Sequence, residues 1–568
     1  MANVIKQPCD EGVIQSGEAK SPCCPNARPW VLAATILGSS MVFIDETAVT
    51  VAPPAVQGAL GATAVDAQWI VEAYTLLLAA LILVGGSLGD HLGRRRVFAI
   101  GIGLFAAASM WCGFASSPEQ LIVSRAIQGV GGALLAPNSL ALISASFEEE
   151  RRGKAIGTWA DFTGITMILG PVLGGYLVEN LSWRGIFFIN APLALIVLAV
   201  TLSRVPESRD EGARKLDLPG AALATVGLGG IVFGFLESSK LGLGDPRAIG
   251  SLMVGAAALA AFIVVEARSR EPMMPLSLFR SRNFTGANTF TLLLYLALSG
   301  ALFFLPFNLI YVQGYSATAA GAAVVPAIGL MFFLSRYTGG LTDRFGARLP
   351  LVLGPATAAL GFALFAVPGI GSSYWTTFFP AAVVLGIGLS VLVPAVTTVA
   401  LNSVEGKHSG LASAINNAFS QTAALLAIAV LGVLMFATFE SNLDGRLMDL
   451  DLPSEARQQL EEEKINLAAV EVPEGLEAEL TTTVERAVDE AFVSGYRVVM
   501  LAAATLALAS ALSAALLIES KKKGARGASA ENMTSASSSR LDAEHPVARY
   551  TEGRRRSIQL SQRVRFAI

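Results

Sequence analysis

Charge is scarce in this chain. Only 15% of its 568 residues are Asp, Glu, Lys or Arg, against about a quarter in soluble domains, which excludes an ordinary soluble globular protein. Histidine is scarcer still. His91, His408 and His545 are scattered, so a His-based metal or haem centre has no ligand set. Of four cysteines, Cys9, Cys23 and Cys24 lie in the polar N-terminal stretch and Cys112 in an apolar run. No disulfide framework and no metal site are expected from that spacing. There is no Gly-rich loop ending in Lys-Ser/Thr, which argues against ATP drive within the chain. The first 27 residues lack the apolar core of a cleaved signal, so the first apolar run is expected to direct insertion. No enzyme activity, cofactor or nucleic-acid partner is expected.

What the chain has is apolar length. Hydrophobic residues make up 53% of it, and mean hydropathy is +0.57. Runs long enough to cross a bilayer follow one another. They predict fourteen spans, over 30–51, 67–86, 97–115, 119–143, 155–178, 184–203, 217–236, 247–266, 285–307, 318–339, 349–367, 377–400, 410–437 and 496–518. An even number puts both termini on one side. Arg94 to Arg96, Arg151, Arg152, Lys154, Arg344 and Arg348 then share the side of the termini, which the positive-inside rule makes cytosolic. Residues 438–495 are acidic and helix-prone and are expected to form an external loop or cap. Residues 519–568 are Ser-rich, then basic, and read as a disordered cytosolic tail, either touching anionic lipid or merely solvated.

One loop occurs twice. Gly86-Ser-Leu-Gly-Asp90-His-Leu-Gly93-Arg94-Arg95-Arg96 is matched by Gly339-Gly-Leu-Thr-Asp343-Arg344-Phe-Gly346-Ala-Arg348. A duplicated loop between apolar helices implies a duplicated membrane domain. The two Asp residues lie about 250 positions apart, which leaves room for two spans beyond six per half. The predicted division is 1–27 tail, 28–204 first six-helix bundle, 205–283 two inserted helices, 284–518 second bundle including 438–495, and 519–568 tail. Gly lets helices approach closely, Asp90 can sit near a helix N-terminus of the other half, and the Arg residues can pair with acids such as Glu148. The loop is thus readable as a latch between halves or, more plainly, as a topology signal.

Ionisable residues inside a bilayer are expensive, so each is a functional candidate. Asp45, Glu72 and Arg125 all fall roughly 9 Å from the outer ends of their spans at 1.5 Å per residue. They are expected to form one buried cluster that takes protons from outside, or else a permanent structural ion pair. Glu46 points about 100° away from Asp45 around the helix. Asp161 is placed for a second relay or for pairing with a loop Arg. Asn288, Tyr295, Asn416, Asn417 and Gln421 are the polar candidates for a substrate cavity, against the plainer reading of helix packing.

These motifs resemble the major facilitator superfamily, and within it the fourteen-helix drug:proton antiporters. The doubled loop looks like the superfamily signature. Arg125-Ala-Ile-Gln128-Gly129 in the fourth span resembles its proton-coupling motif. Gly170-Pro171-Val-Leu-Gly174-Gly175 in the fifth resembles its antiporter motif. Asp45-Glu-Thr47-Ala-Val-Thr-Val-Ala52-Pro-Pro54 resembles the first-span motif of the fourteen-helix branch. The resemblance implies an all-α polytopic fold of two six-helix bundles and two inserted helices. It implies export of amphiphilic or cationic compounds against protons, by a monomer in the cell membrane, with accessory export partners allowed. A proton-coupled importer of a small metabolite and a non-transporting membrane sensor are the alternative functions.

Overall fold

A computed structural model describes residues 25–209, 217–242, 244–269, 271–402, 409–448, 450–473 and 475–519; both predicted tails lie largely or wholly outside them. Among these residues fourteen helices are long and apolar enough to cross a bilayer. They are built on α1 (Arg28–Ala48), α2 (Ala64–Leu92), α3 (Arg94–Gly113), α4 (Pro118–Ser146), α5 (Glu149–Asn180), α6 (Asn190–Arg204, whose span starts at Gly185), α7 (Leu218–Leu241), α8 (Pro246–Arg268), α9 (Arg282–Phe307), α10 (Val325–Phe345, whose span starts at Ala317), α11 (Arg348–Phe365), α12 (Phe379–Asn402), α13 (Ser409–Met448) and α14 (Ala478–Leu517). With no water in the hydrocarbon, a spanning segment must satisfy its backbone internally, and a helix does so.

Packing repeats with the sequence. In the first six helices α2 lies on α4, α3 on α4 and α6, and α1 on α5 and α6. In the last six α10 lies on α12, α11 on α12 and α14, and α9 on α13 and α14. The repeat reaches individual glycines. Gly93 and Gly346 each end a helix with positive φ, +106° and +81°. Eight residues on, Gly101 and Gly354 each face a backbone so closely that an added Cβ would lie 2.9 Å from a neighbouring atom. Only a residue without Cβ permits such approach.

The inserted pair α7–α8 packs tightly on itself, and α7 also lies against both α2 and α13. The loops with Arg94 to Arg96, Arg151, Arg152 and Arg348 stand at one end of the bundle, the basic end. The turn after α1 and the α3–α4 loop stand at the far end.

The halves are closed together at the far end. There α2 meets α13, and the short helix Ala317–Ala323 meets α5. An added Cβ on Gly321 would lie 2.1 Å from Pro171 O, and one on Gly175 2.3 Å from Ala317 O. Tyr311 OH donates to Pro54 O at 3.2 Å. These contacts reach to mid-depth, where Phe332 lies against Gly164. Toward the basic end, Cβ atoms on Gly153 and Gly157 would meet nothing within 4 Å.

The stretch 438–495 is largely helical, in line with its helix-prone composition, but the helices on either side run further than the predicted spans. Much of it is helix: α13 continues to Met448 and α14 begins at Ala478, 40 residues each, or roughly 60 Å at 1.5 Å per residue. Hydropathy marks where the bilayer ends, whereas helix propensity decides where the helix ends. Between them Ser454–Glu463 and a 3₁₀ stretch, Lys464–Ala469, cover the far end. Lys464 pairs with Asp444 and Glu461, and these partners push its ammonium up from its ordinary value.

Candidate functional site

Asp45 and Arg125 do meet. Arg125 Nη1 lies 2.6 Å from Asp45 Oδ2, with the two side chains 1% and 0% exposed. A buried pair must be hydrogen-bonded on its remaining faces to survive desolvation, and this one is. Gln128 Nε2 donates to Asp45 Oδ1 at 2.8 Å and Asn190 Nδ2 donates to the same oxygen at 3.1 Å. Arg125 also donates to Gln128 Oε1 at 2.8 Å and to Ile70 O at 3.1 Å. Its guanidinium carbon stands 4.3 Å from the Tyr74 ring centre, a cation–π contact. Asn190 in turn donates to Ser109 Oγ at 3.0 Å. Helices α1, α2, α3, α4 and α6 thus all contribute to one charge centre. Gln128 belongs to the Arg125 motif. Asn190 and Ser109 carried no comparable sequence signal, because neutral polar residues occur throughout packed helices.

Glu72 does not join this cluster, contrary to the expected grouping of three. Arg125 touches α2 through Ile70 and Tyr74. Glu72 is two residues past Ile70, about 200° around the helix, and it lies against the backbone of Ala429 in α13. Depth was shared, but azimuth was not. Glu46 forms no ion pair among the described residues; it is half-buried, within electrostatic reach of Arg125 and of Tyr295 on α9. Asp161 is exposed on α5, and among the described residues it makes no ion pair.

The loop residues pair locally. Asp90 accepts from Arg94 at 2.8 Å. That pairing is local rather than with a helix N-terminus of the other half; at the N-terminus of α3 the acid is Glu207, which accepts from Arg95 N at 2.9 Å and lies near Arg96. Glu148 pairs with Arg28 at 2.9 Å rather than with the loop arginines. In this conformation those contacts stay within the first six helices. Gly86 is less crowded than its neighbours: added Cβ atoms on Gly85 and Gly89 would strike Ala133 O and the Asn138 side chain within 2.0 Å, against 3.5 Å to Pro137 for Gly86. In the second copy Arg344 is exposed at the end of α10, and the side chains of Gly339 and Asp343 lie outside the described residues.

The fifth-span motif packs on two partners. Gly170 and Gly174 face α1, at Thr47 and Ala48. Gly175 faces Ala317 across the seam, beside the Pro171 turn that meets Gly321. Among the cavity candidates, Asn416 Nδ2 donates to Thr291 Oγ1 at 2.9 Å and to Asn288 Oδ1 at 3.3 Å, which ties α13 to α9. Asn417 is exposed, and Gln421 and Tyr295 are half-buried.

Comparison with known proteins agrees with this architecture. The chain is 32% identical over 506 residues to the tetracenomycin C resistance and export protein of Streptomyces glaucescens, covering 87% of this chain and 93% of that one. It is 35% identical over 422 residues to the multidrug resistance protein Stp of Mycobacterium tuberculosis (73% and 77% covered). It is also 35% identical over 427 residues to the puromycin resistance protein pur8 of Streptomyces alboniger (74% and 84%). Among solved structures, a bacterial homologue of the human lysosomal transporter Spinster, inward-facing and unoccupied, shares the fold with a TM-score of 0.60 at 18% identity, covering 86% of this chain and 98% of that one. The Major Facilitator Superfamily profile matches residues 35–428, and with its doubled six-helix packing this chain belongs to that superfamily.

Proposed function

We propose that the chain is a proton-coupled exporter of amphiphilic or cationic compounds, working by alternating access in the cytoplasmic membrane with the basic end and both termini in the cytosol. The names of its relatives, which speak of resistance and export, support export as the direction. The excess of Arg at one end supports the orientation. On that orientation the closed far end is the outside, and the conformation is inward-facing. The division proposed for the chain is 28–204, the inserted 205–283, and 284–518, with no cofactor and the proton gradient as the driving force.

The observation that carries the coupling is the unequal treatment of two adjacent acids. Asp45 is saturated by Arg125, Gln128 and Asn190. Glu46, its neighbour, has no ion pair among the described residues and lies between the halves beside Tyr295. Glu46 is therefore the acid that a cation in the central cavity can reach, with the Tyr295 ring as an apolar wall. A bound cation favours the carboxylate and expels its proton, and a proton arriving from outside expels the cation. Competition at one site is sufficient to couple the fluxes. The Asp45–Arg125 centre holds α1 and α4 in register beneath it.

The test is accumulation of a lipophilic cationic dye in inside-out vesicles under an imposed pH gradient. Glu46→Gln is expected to lower accumulation at least about tenfold, the equivalent of 1.4 kcal/mol of lost charge pairing. Undiminished gradient-driven accumulation would remove Glu46 as the coupling acid.

A further inference from the structure

Gln68 and Glu72 stand one helical turn apart on α2, and both are fully buried at the far-end seam. Four of their atoms, Gln68 Nε2 and Oε1 and both Glu72 carboxyl oxygens, make no hydrogen bond. Opposite them α13 brings up Gly432 and Ala429. A Cβ on Gly432 would lie 2.8 Å from Gln68 Nε2, and Glu72 lies against the Ala429 backbone. Native interiors leave few buried polar groups unpaired, and each calls for an explanation.

The surrounding charges do not supply one. Arg125 of α4 contacts the other side of α2, at Ile70 and Tyr74. On α2 itself, Asp66 forms the N-terminal capping box with Thr63, and Asp90 is held by Arg94. Arg95 and Arg96 of α3 are held by Glu207 at the basic end. On α13, Asp444 is paired with Lys464 of the covering 3₁₀ stretch, and Arg446 with Glu490. Glu119 of α4, Glu237 of α7 and Glu440 of α13 complete the acids on the helices around α2. Among the described residues none of these groups forms an ion pair with Glu72. A carboxylate buried with no ionic partner and only the Ala429 backbone against it costs several kcal/mol, so the closed seam favours the neutral acid over the anion.

We infer that Glu72 is a proton-conditional lock: the far end closes onto α13 only after Glu72 has taken a proton from the far-side water, and when the seam parts the acid is rehydrated and can release it. The inference rests on the exporter reading for its use, since it would prevent an unprotonated, empty carrier from resetting. It concerns a residue outside the substrate cavity and separate from the Asp45–Arg125 centre. Gln68 follows the same seam and supplies an amide for the hydrated state.

The experiment places spin labels at Ser116 and Ser373, on far-end loops of the two halves, in a cysteine-substituted full-length chain in lipid nanodiscs without substrate. In the parent protein, the ratio of closed to open distances should rise as pH falls. For one linked proton it should change by about tenfold per pH unit over the titration. Glu72→Gln should hold the far end closed with no pH slope, and Glu72→Met should do the same if Gln is not tolerated. A parent ratio independent of pH, or a slope retained in Glu72→Gln, would overturn the lock. Because no substrate is present, the outcome separates from the export reading: a pH slope lost in Glu72→Gln without dye export in vesicles leaves the lock standing, and export without a slope removes it.

Discussion

The first six and last six helices share one packing plan and differ in chemistry. Helices α1–α6 enclose a charge centre with Asp45, Arg125, Gln128 and Asn190. The matching link in α9–α14 is neutral: Asn416 to Asn288 and Thr291. A duplicated backbone constrains where small residues must lie, because helix approach is geometric, and Gly93/Gly346 and Gly101/Gly354 persist in both copies. It does not constrain which side chains fill the space between. Coupling chemistry can then reside in one half while the other serves as the apolar wall against which it works.

The sharpest way to break the comparison is to remove the charge centre. Arg125→Ala leaves Asp45 buried and uncompensated, which is expected to cost about 3–5 kcal/mol and to abolish gradient-driven export. Thermal unfolding in detergent and vesicle transport read the two effects. Asn416→Ala, at the neutral counterpart, should cost only about 0.5–1.5 kcal/mol. Equal losses at the two sites would erase the distinction between the halves.

A smaller effect tests the duplication itself. Gly93→Ala and Gly346→Ala both place a side chain at positive φ and should each destabilise by about 1 kcal/mol or more. The Gly93 variant should lose more, because its Cβ would lie 2.7 Å from the Glu207 carboxyl. The difference in melting temperature between the variants is the measurement.

The smallest expected effect is electrostatic. Arg28 holds the Glu148 carboxyl below its ordinary value. A lowered carboxylate contributes stability above the ordinary carboxylate range and loses it as pH falls through the lowered value. Glu148→Gln should therefore lower stability slightly at neutral pH and leave it unchanged at low pH, which flattens the acid limb of a stability–pH curve; the effect is small for a pair whose acid is half-exposed.

Much of this was legible in the sequence. Span number followed from apolar length, and the Asp45–Arg125 meeting followed from the cost of lone charges in a bilayer. Azimuth was not legible for Glu72, because depth along a helix says nothing of which neighbour it faces. Asn190 and Ser109 were missed because an uncharged polar residue is cheap enough to appear anywhere. The acid at the N-terminus of α3, Glu207, carried no signal because it lies in an aperiodic segment, where no repeat points to a partner. The protruding ends of α13 and α14 were hidden because hydropathy falls off where helicity does not.

The inserted helix α7 touches α2 on one side and α13 on the other, with Trp69 and Phe233 rings 6.0 Å apart. In the proposed alternating access those are two helices whose separation would open the far end. A rigid rod resting on both leaves of a hinge cannot keep both contacts as the hinge swings. In the proposed cycle it would ride with one leaf and slide along the other, so the contacts beneath α7 would serve as a bearing between the halves.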